Sequence, residues 1–371
     1  MPERSWLWLW LKCPGIGSVR IRQLCAVAAE SAQGFEELWS WPLSKWQQEF
    51  RWPASVLCSI ERYRASLGQQ PCLEVPSHVL LPCDSDWPAS FEKLERPPLS
   101  LQWQGSRTLL SKLSSQQAVA VVGTRRPSPH GLRMADVLGR VIAQAGWPVV
   151  SGLAEGIDAA AHRACLRAGG SPVAVLGTPL HRSYPPEHHC LQQEVAQAGL
   201  LMTELCDAER VMRSSFALRN RLLVAITKAV VVVECPNNSG ALRSAAVARS
   251  LGIPVWVAPG DALRESVQGS NALLQSGALP LINPQALIDQ LGPGPCVSAV
   301  EKRDSSDLKA KKPPVSGLMQ TRLLKLVNDG SSFDQMVHSL RSKPERVAAE
   351  LLKLETASLV VAQPGLRWRS L

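Results

Sequence analysis

No stretch of this 371-residue chain approaches the roughly 18 consecutive apolar residues that a membrane-crossing helix needs. The apolar run in the opening MPERSWLWLWL spans about six residues, too short for a signal peptide's apolar region and cleavage site. A cytoplasmic location with no membrane partner is therefore expected. The ten cysteines include no CxxC pair, and a chain of this length folds without disulfides, so they read as reduced, structural thiols. The dinucleotide fingerprint G-x-G-x-x-G and the phosphate loop G-x-x-x-x-G-K-[ST] are both missing, which argues against NAD, FAD and P-loop ATP hydrolysis. No G-x-S-x-G elbow, S-x-x-K signature or carboxylate pair accompanies a strand end. His188-His189-Cys190 lacks partners at ligand spacing. Neither a cofactor, a metal nor an enzymatic activity is expected.

What the chain does have is 45% hydrophobic and 19% charged residues, the composition of a globular protein with a sizeable core, which excludes whole-chain disorder. Its length corresponds to two or three domains. The formal charge of +9 favours polyanionic partners, and it is unevenly spread. Residues 1–105 hold 10 basic and 11 acidic residues with nine of the twelve tryptophans, whereas 106–290 hold 17 basic residues, 15 of them arginine, against 12 acidic. The remaining 291–371 hold 13 basic and 8 acidic.

Helical periodicity over 18–30 and 54–67 predicts an N-terminal helical domain over 1–75, with a proline-bearing connecting segment over 76–105. Within the helical part, Cys13-Pro14-Gly15-Ile16-Gly17 reads either as a hairpin that points N–H groups at a phosphate or as a tight interhelical turn. From about 117 the pattern changes. Val-rich runs at 118–123, 147–152, 172–177, 199–204, 229–234 and 253–260 alternate with amphipathic stretches such as 131–145, 157–168 and 241–251. Strands without polar alternation, separated by helices, mean a parallel sheet covered on both faces. The expected class is α/β, an extended Rossmann-like doubly wound core over 106–291. A Pro-, Gly-, Ser- and Lys-rich linker is expected over 292–316. Three short helices and a hairpin then predict a winged helix over 317–371.

Ligands of doubly wound sheets gather at the carboxyl ends of the strands. There this sequence places Gly123-Thr124-Arg125-Arg126, an anion site of backbone donors at a helix start plus fixed positive charge. The next strand ends in Ser151-Gly152-Leu153-Ala154-Glu155-Gly156-Ile157-Asp158, and His162 lies one turn beyond Asp158. That pair reads as a general acid and base, or as a helix cap beside a locally packed histidine. Gly177 opens the loop bearing Tyr184, which either stacks on a base or packs within its loop. Phe216 with Arg219, Asn220 and Arg221 suits phosphates and base faces together. Ser239-Gly240 and Gly269-Ser270-Asn271 look like further donor-rich turns.

VVGTRRPSPHG, VVSGLAEGIDAAAH, AVLGTPLHRSYPPE, LLMTE, FALRNRLL, VVVECPNNSGAL and VAPG followed by GSNALLQSGA resemble, in this order, the DNA-processing protein A (DprA, also called Smf) family over about 118–290. The resemblance implies a single-stranded DNA-binding recombination mediator that protects incoming DNA and loads the recombinase RecA during natural transformation. It also implies a homodimer formed through the Rossmann core, and DNA contacts at Arg125, at Ser151 to Asp158 and at Arg219 to Arg221. Some positions depart from the family pattern. Glu155 stands where a basic or small residue is usual, Pro186 and His188 where Lys and Asn occur, and Ala217-Leu218 replace Pro-Arg. Ala241 and Arg243 alter the following Gly-Ser run. Two rival readings stand beside this one: an enzyme acting on a nucleotide or phosphorylated sugar through Asp158 and His162, and a winged-helix regulator with a ligand-sensing core.

Overall fold

The valine-rich runs form strands because every residue in them is covered from one face or the other of a single sheet. The computed structural model describes residues 3–31, 34–69, 71–207, 209–296, 318–356, 360–363 and 367–370. They fall into two units, divided between residues 297 and 298.

The first unit opens with α1 (Glu3–Leu11), α2 (Ser18–Glu30), α3 (Phe35–Ser40), α4 (Leu43–Phe50) and α5 (Ala54–Leu67). Tryptophans fill the space between them. Trp10 and Trp46 are wholly buried, their rings 5.2 Å apart, and Trp6, Trp8, Trp39, Trp41 and Trp52 join the same core. Large rigid aromatics let short helices bury much apolar surface at little entropic cost. Next come β1 (Val79–Leu80), β2 (Leu101–Gly105) and α6 (Arg107–Ser114). The segment 76–105, expected as a connector, thus supplies two strands.

The alternation that follows is β3 (Val119–Val122), α7 (Pro129–Gln144), β4 (Val149–Ser151), α8 (Ile157–Arg167), β5 (Pro172–Leu176), α9 (His189–Ala198) and β6 (Leu200–Thr203). After it come α10 (Arg213–Ala225), β7 (Ala229–Val232), α11 (Gly240–Ser250), β8 (Val255–Val257), α12 (Gln268–Gln275), β9 (Leu279–Pro280) and α13 (Pro284–Leu291). The nine strands form one sheet in the order β1-β2-β6-β5-β4-β3-β7-β8-β9. The seven strands from β6 to β9 in this order run parallel, and β2 adds to β6 antiparallel. Val119 and Val121 face one core with Leu138 and Ile142, while Ala120 and Val122 face the other with Leu222 and Val257. This is period-two packing on both faces, which erases polar alternation from the sequence. The strand order reverses between β3 and β7, and the carboxyl ends of those two strands frame a crevice.

The expected linker begins as ordered chain. Trp147 Nε1 donates to the Gly292 carbonyl (2.9 Å), and the Gly294 and Cys296 N–H groups donate to Ala145 and Gly146. Residues 297–316 lie outside the described set. The second unit comprises α14 (Leu318–Asn328), α15 (Phe333–Leu340) and α16 (Pro344–Thr356), then the antiparallel strands β10 (Val360–Gln363) and β11 (Arg367–Ser370). Leu323, Met336 and Leu351 centre its own core. No helix among the described residues is long and apolar enough to cross a membrane.

Within the sheet unit, α8 is fastened to β5 by His162, which is wholly buried. Its Nε2 donates to the Val173 carbonyl at 3.1 Å, while Nδ1 has no partner among the described residues. A proton on Nδ1 would be an unpaired buried charge, and burial, helped by the nearby Arg219 charge, pushes the ring down from 6.5 to about 4. Below pH 6.5 the unfolded chain takes up this proton and the folded chain does not. Stability that is fully present above pH 6.5 therefore falls as the pH drops towards 4 and levels off below it. At about 1.4 kcal/mol per pH unit, the loss amounts to about 3 kcal/mol. Urea midpoints of the wild type and His162→Gln, followed from about pH 7.5 to about pH 4.5, should diverge on acidification, with the wild type losing more. Parallel curves would assign the acid sensitivity to other groups.

Candidate nucleic-acid interface

The crevice between the ends of β3 and β7 is a cleft of about 350 Å³. Gly123, Thr124 and Arg125 form one wall, and Asn238, Ser239 and Gly240 another, where the chain turns into α11. Helix α10 closes the third side with Arg213, Phe216 and Asn220. These three are spaced i, i+3, i+7, so they share one face of the helix. The Ser239 hydroxyl caps α11 by accepting the Ala241 N–H (3.2 Å), and Asn220 Nδ2 donates to the Gly240 carbonyl (3.3 Å).

Aromatic and cationic groups meet at the mouth. The Arg125 guanidinium lies 5.7 Å from the Phe216 ring centroid, and Phe216 packs on Tyr184 with centroids 4.6 Å apart. Tyr184 is 45% exposed, and Arg125 and Arg126 are exposed. Gly177 makes this stack possible, because a Cβ there would come within 2.7 Å of the Phe216 ring. An exposed guanidinium beside a partly exposed aromatic pair offers one group to a phosphate and one to a base.

Several residues expected to face a ligand instead build the floor. Arg219 is buried, and its Nη1 donates to the Val175 carbonyl of β5. Burial lowers it to about 10. Asp158 lies buried beside it and accepts the Gly152 N–H at 3.1 Å; burial raises its carboxyl above the usual range, against the pull of Arg219. A Cβ on Gly152 would collide with the Arg219 guanidinium, so this glycine makes room for protein rather than for DNA. Gly156 (φ +77°) is confined likewise, since a Cβ would sit 2.5 Å from the Thr124 carbonyl. The Ser151 hydroxyl is spent on the Val121 carbonyl (2.7 Å). Asp158 and His162 are therefore not an acid/base pair: the histidine is sealed beneath α8 and its donor is used within the fold.

The start of α7 is corrected in the same way. Buried Glu234 accepts the Ser128 N–H (3.1 Å) and hydroxyl (2.9 Å), so the helix's positive end already faces an internal carboxylate. The Thr124 N–H donates to the Glu234 carbonyl (2.7 Å). Of this predicted anion site, the arginine side chains remain open. Arg221 is paired, its Nη2 donating to both carboxylate oxygens of Glu204 at 2.7 and 2.8 Å. Asn271 clasps Gly260 through two hydrogen bonds of 3.1 and 3.2 Å, closing a loop outside the cleft. His188 is buried, with Nδ1 at 2.9 Å from the Leu153 carbonyl. Arg213 and Asn238 are among the cleft residues that escaped the sequence reading. Helical spacing from Phe216 was the signal for the first, and nothing local marks the second.

Comparison with known proteins agrees with this architecture. A family profile described as DNA recombination-mediator protein A matches residues 78–292, the whole nine-stranded sheet. Protein Smf of a Synechocystis species is 28% identical over 397 aligned positions, covering 99% of this chain and 98% of that protein. The X-ray structure of DNA processing protein A from Streptococcus pneumoniae matches 78% of this chain and 99% of its own, with a TM-score of 0.64 and 24% identity. The Helicobacter pylori DNA processing protein A, whose structure concerns its single-stranded DNA binding mode, matches 55% of this chain and 92% of its own at a TM-score of 0.51 and 33% identity. With the profile spanning more than half of its length, the chain belongs to the DNA recombination-mediator protein A family.

Proposed function

We propose that the cleft between β3 and β7 binds single-stranded DNA, and that the chain hands the strand to a RecA-type recombinase during natural transformation. Arg125 and Arg213 neutralise phosphates, the Phe216–Tyr184 pair takes a base, and Asn220, Asn238 and the Ser239 turn supply polar contacts. The observation that carries this reading is the Arg125–Phe216–Tyr184 stack beside the cleft, exposed at Arg125 and Tyr184 and half-buried at Phe216. Stacking tolerates any base, so the site fits a strand of arbitrary sequence. The single-stranded DNA binding mode named for the H. pylori relative supports it, and the family's description as a recombination mediator supports the transfer step.

We extend the proposal to a homodimer through the core. Strand β9 ends the sheet with both its residues exposed, Ile282 just after it is 77% exposed, and Leu263, between β8 and α12, is 92% exposed. An open sheet edge with large apolar side chains is a surface that a second copy would cover.

Two measurements check these statements. In filter-binding titrations of single-stranded oligonucleotides, Arg125→Ala should weaken binding whatever the sequence and flatten the log K against log salt slope by about 0.7. Phe216→Ala should cost about 1–3 kcal/mol with the slope unchanged. An unaltered affinity in both variants would overturn the assignment. In sedimentation, the wild type should run as a dimer and Leu263→Glu/Ile282→Glu as a monomer; a monomeric wild type at micromolar concentration removes the dimer from the proposal.

A further inference from the structure

Two more clefts adjoin the first on the outer side of α10, and their walls are shared. One, of about 520 Å³, has Ala217 and Asn220 in common with the switch-point cleft and extends to Lys93, Arg96 and Arg243. The other, of about 670 Å³, has Arg96, Leu218 and Arg221 in common with the second and ends at Lys12, Arg22 and the first turn of α2. A side chain that walls two clefts stands between them, so the three adjoin in succession across α10, a row of clefts called the groove below. Ala217 lowers the ridge at the crossing. Leu218, 42% exposed, gives the floor beyond it an apolar surface.

The groove's charge is one-sided once the internal pairs are removed. Glu204 is held by Arg221, and Asp158 lies buried beside Arg219. Glu95 and Glu209 are then the acids left on the walls, against Lys93, Arg96 and Arg243 in the middle and Lys12 and Arg22 at the far end. Lys93, Arg96 and Arg243 are exposed and form no ion pair among the described residues. They come from a connecting segment and from α11, so only the fold brings them together. At the far end, Gly17 precedes α2 with no side-chain cap, which leaves the first N–H groups of that helix open to an anion.

We propose that this groove is a second, longer section of the DNA track. A single strand leaving the switch-point cleft crosses α10 at Ala217, runs past Arg243, Arg96 and Lys93, and reaches Lys12, Arg22 and the start of α2. The inference rests on the reading of the cleft as a single-stranded DNA site. Cations alternating with Phe216, Leu218 and Leu11 suit a chain of phosphates and bases. A path that bends over a helix suits a flexible strand and excludes a duplex, whose persistence length is about 50 nm.

The test uses the full chain and oligothymidylates of two lengths, about 6 and about 25 nucleotides, with Lys93→Gln/Arg96→Gln/Arg243→Gln as the variant. The wild type should bind the long strand more tightly than the short one by more than the number of registers accounts for. The variant should bind the short strand like the wild type, bind the long strand about tenfold more weakly, and show a salt slope for it flatter by about 2. Wild-type affinity and slope for the long strand in the variant would overturn the groove and leave the cleft standing. Failure of the wild type to bind either strand would overturn both readings.

Discussion

A buried guanidinium organises this site. Arg219 sits under the cleft with one nitrogen bonded to the Val175 carbonyl and Asp158 beside it, and a charge so placed is tolerated only where it is partnered. Each partner constrains something else. The space it occupies forbids a side chain at Gly152. Its bond to β5 pins α10 across the carboxyl ends of the strands, so that Phe216, one turn earlier, lands over Gly177 beside Arg125. Two residues later, Arg221 reaches Glu204 just beyond β6. Removing Arg219 would thus act on the ligand cleft without Arg219 ever touching a ligand.

The parallel core was legible because its cause is local. Val119 to Val122 must be apolar at every position, since helices cover both faces of the sheet. The antiparallel additions β1 and β2 were not, because β1 pairs over only two residues and lies in a segment whose prolines read as connector. The glycine-bearing turns lie where the sequence places them, yet Gly152 and Gly156 make room for protein groups rather than for a ligand, and Gly177 for the Phe216 ring. Sequence shows that backbone or side chain must come close at such a position. It does not show whether the approaching group is a phosphate, a guanidinium or a phenyl ring.

Arginine carries the same ambiguity. Arg125, Arg219 and Arg221 look alike in the chain, but Asp158 lies 61 positions before the second and Glu204 17 before the third. Folding alone decides which cations are consumed. The net charge of +9 therefore says little about binding until the internal pairs are subtracted. Part of what is left after subtraction, Arg125, Arg213, Arg243, Lys93 and Arg96, lies along the cleft and over α10. Lys93 and Arg96 belong there to a region whose overall charge is close to neutral, so local placement outweighs regional balance.

The two kinds of arginine also differ in how firmly they hold an anion. Arg219 is committed, because moving it would strip a buried charge of its partners. Arg125, Arg96 and Arg243 are exposed, where water and salt screen each contact and no single one is worth much. On the proposed reading, DNA held by many such contacts along a groove is retained by their number and can be released one phosphate at a time. A strand gripped by buried, fully desolvated arginines would have to be surrendered all at once. A protein that must give its strand to another needs the first arrangement, and it needs a rigid floor so that weak contacts stay in register. On that reading the buried Arg219, bonded to β5 and set beside Asp158, supplies that rigidity while staying out of the exchange.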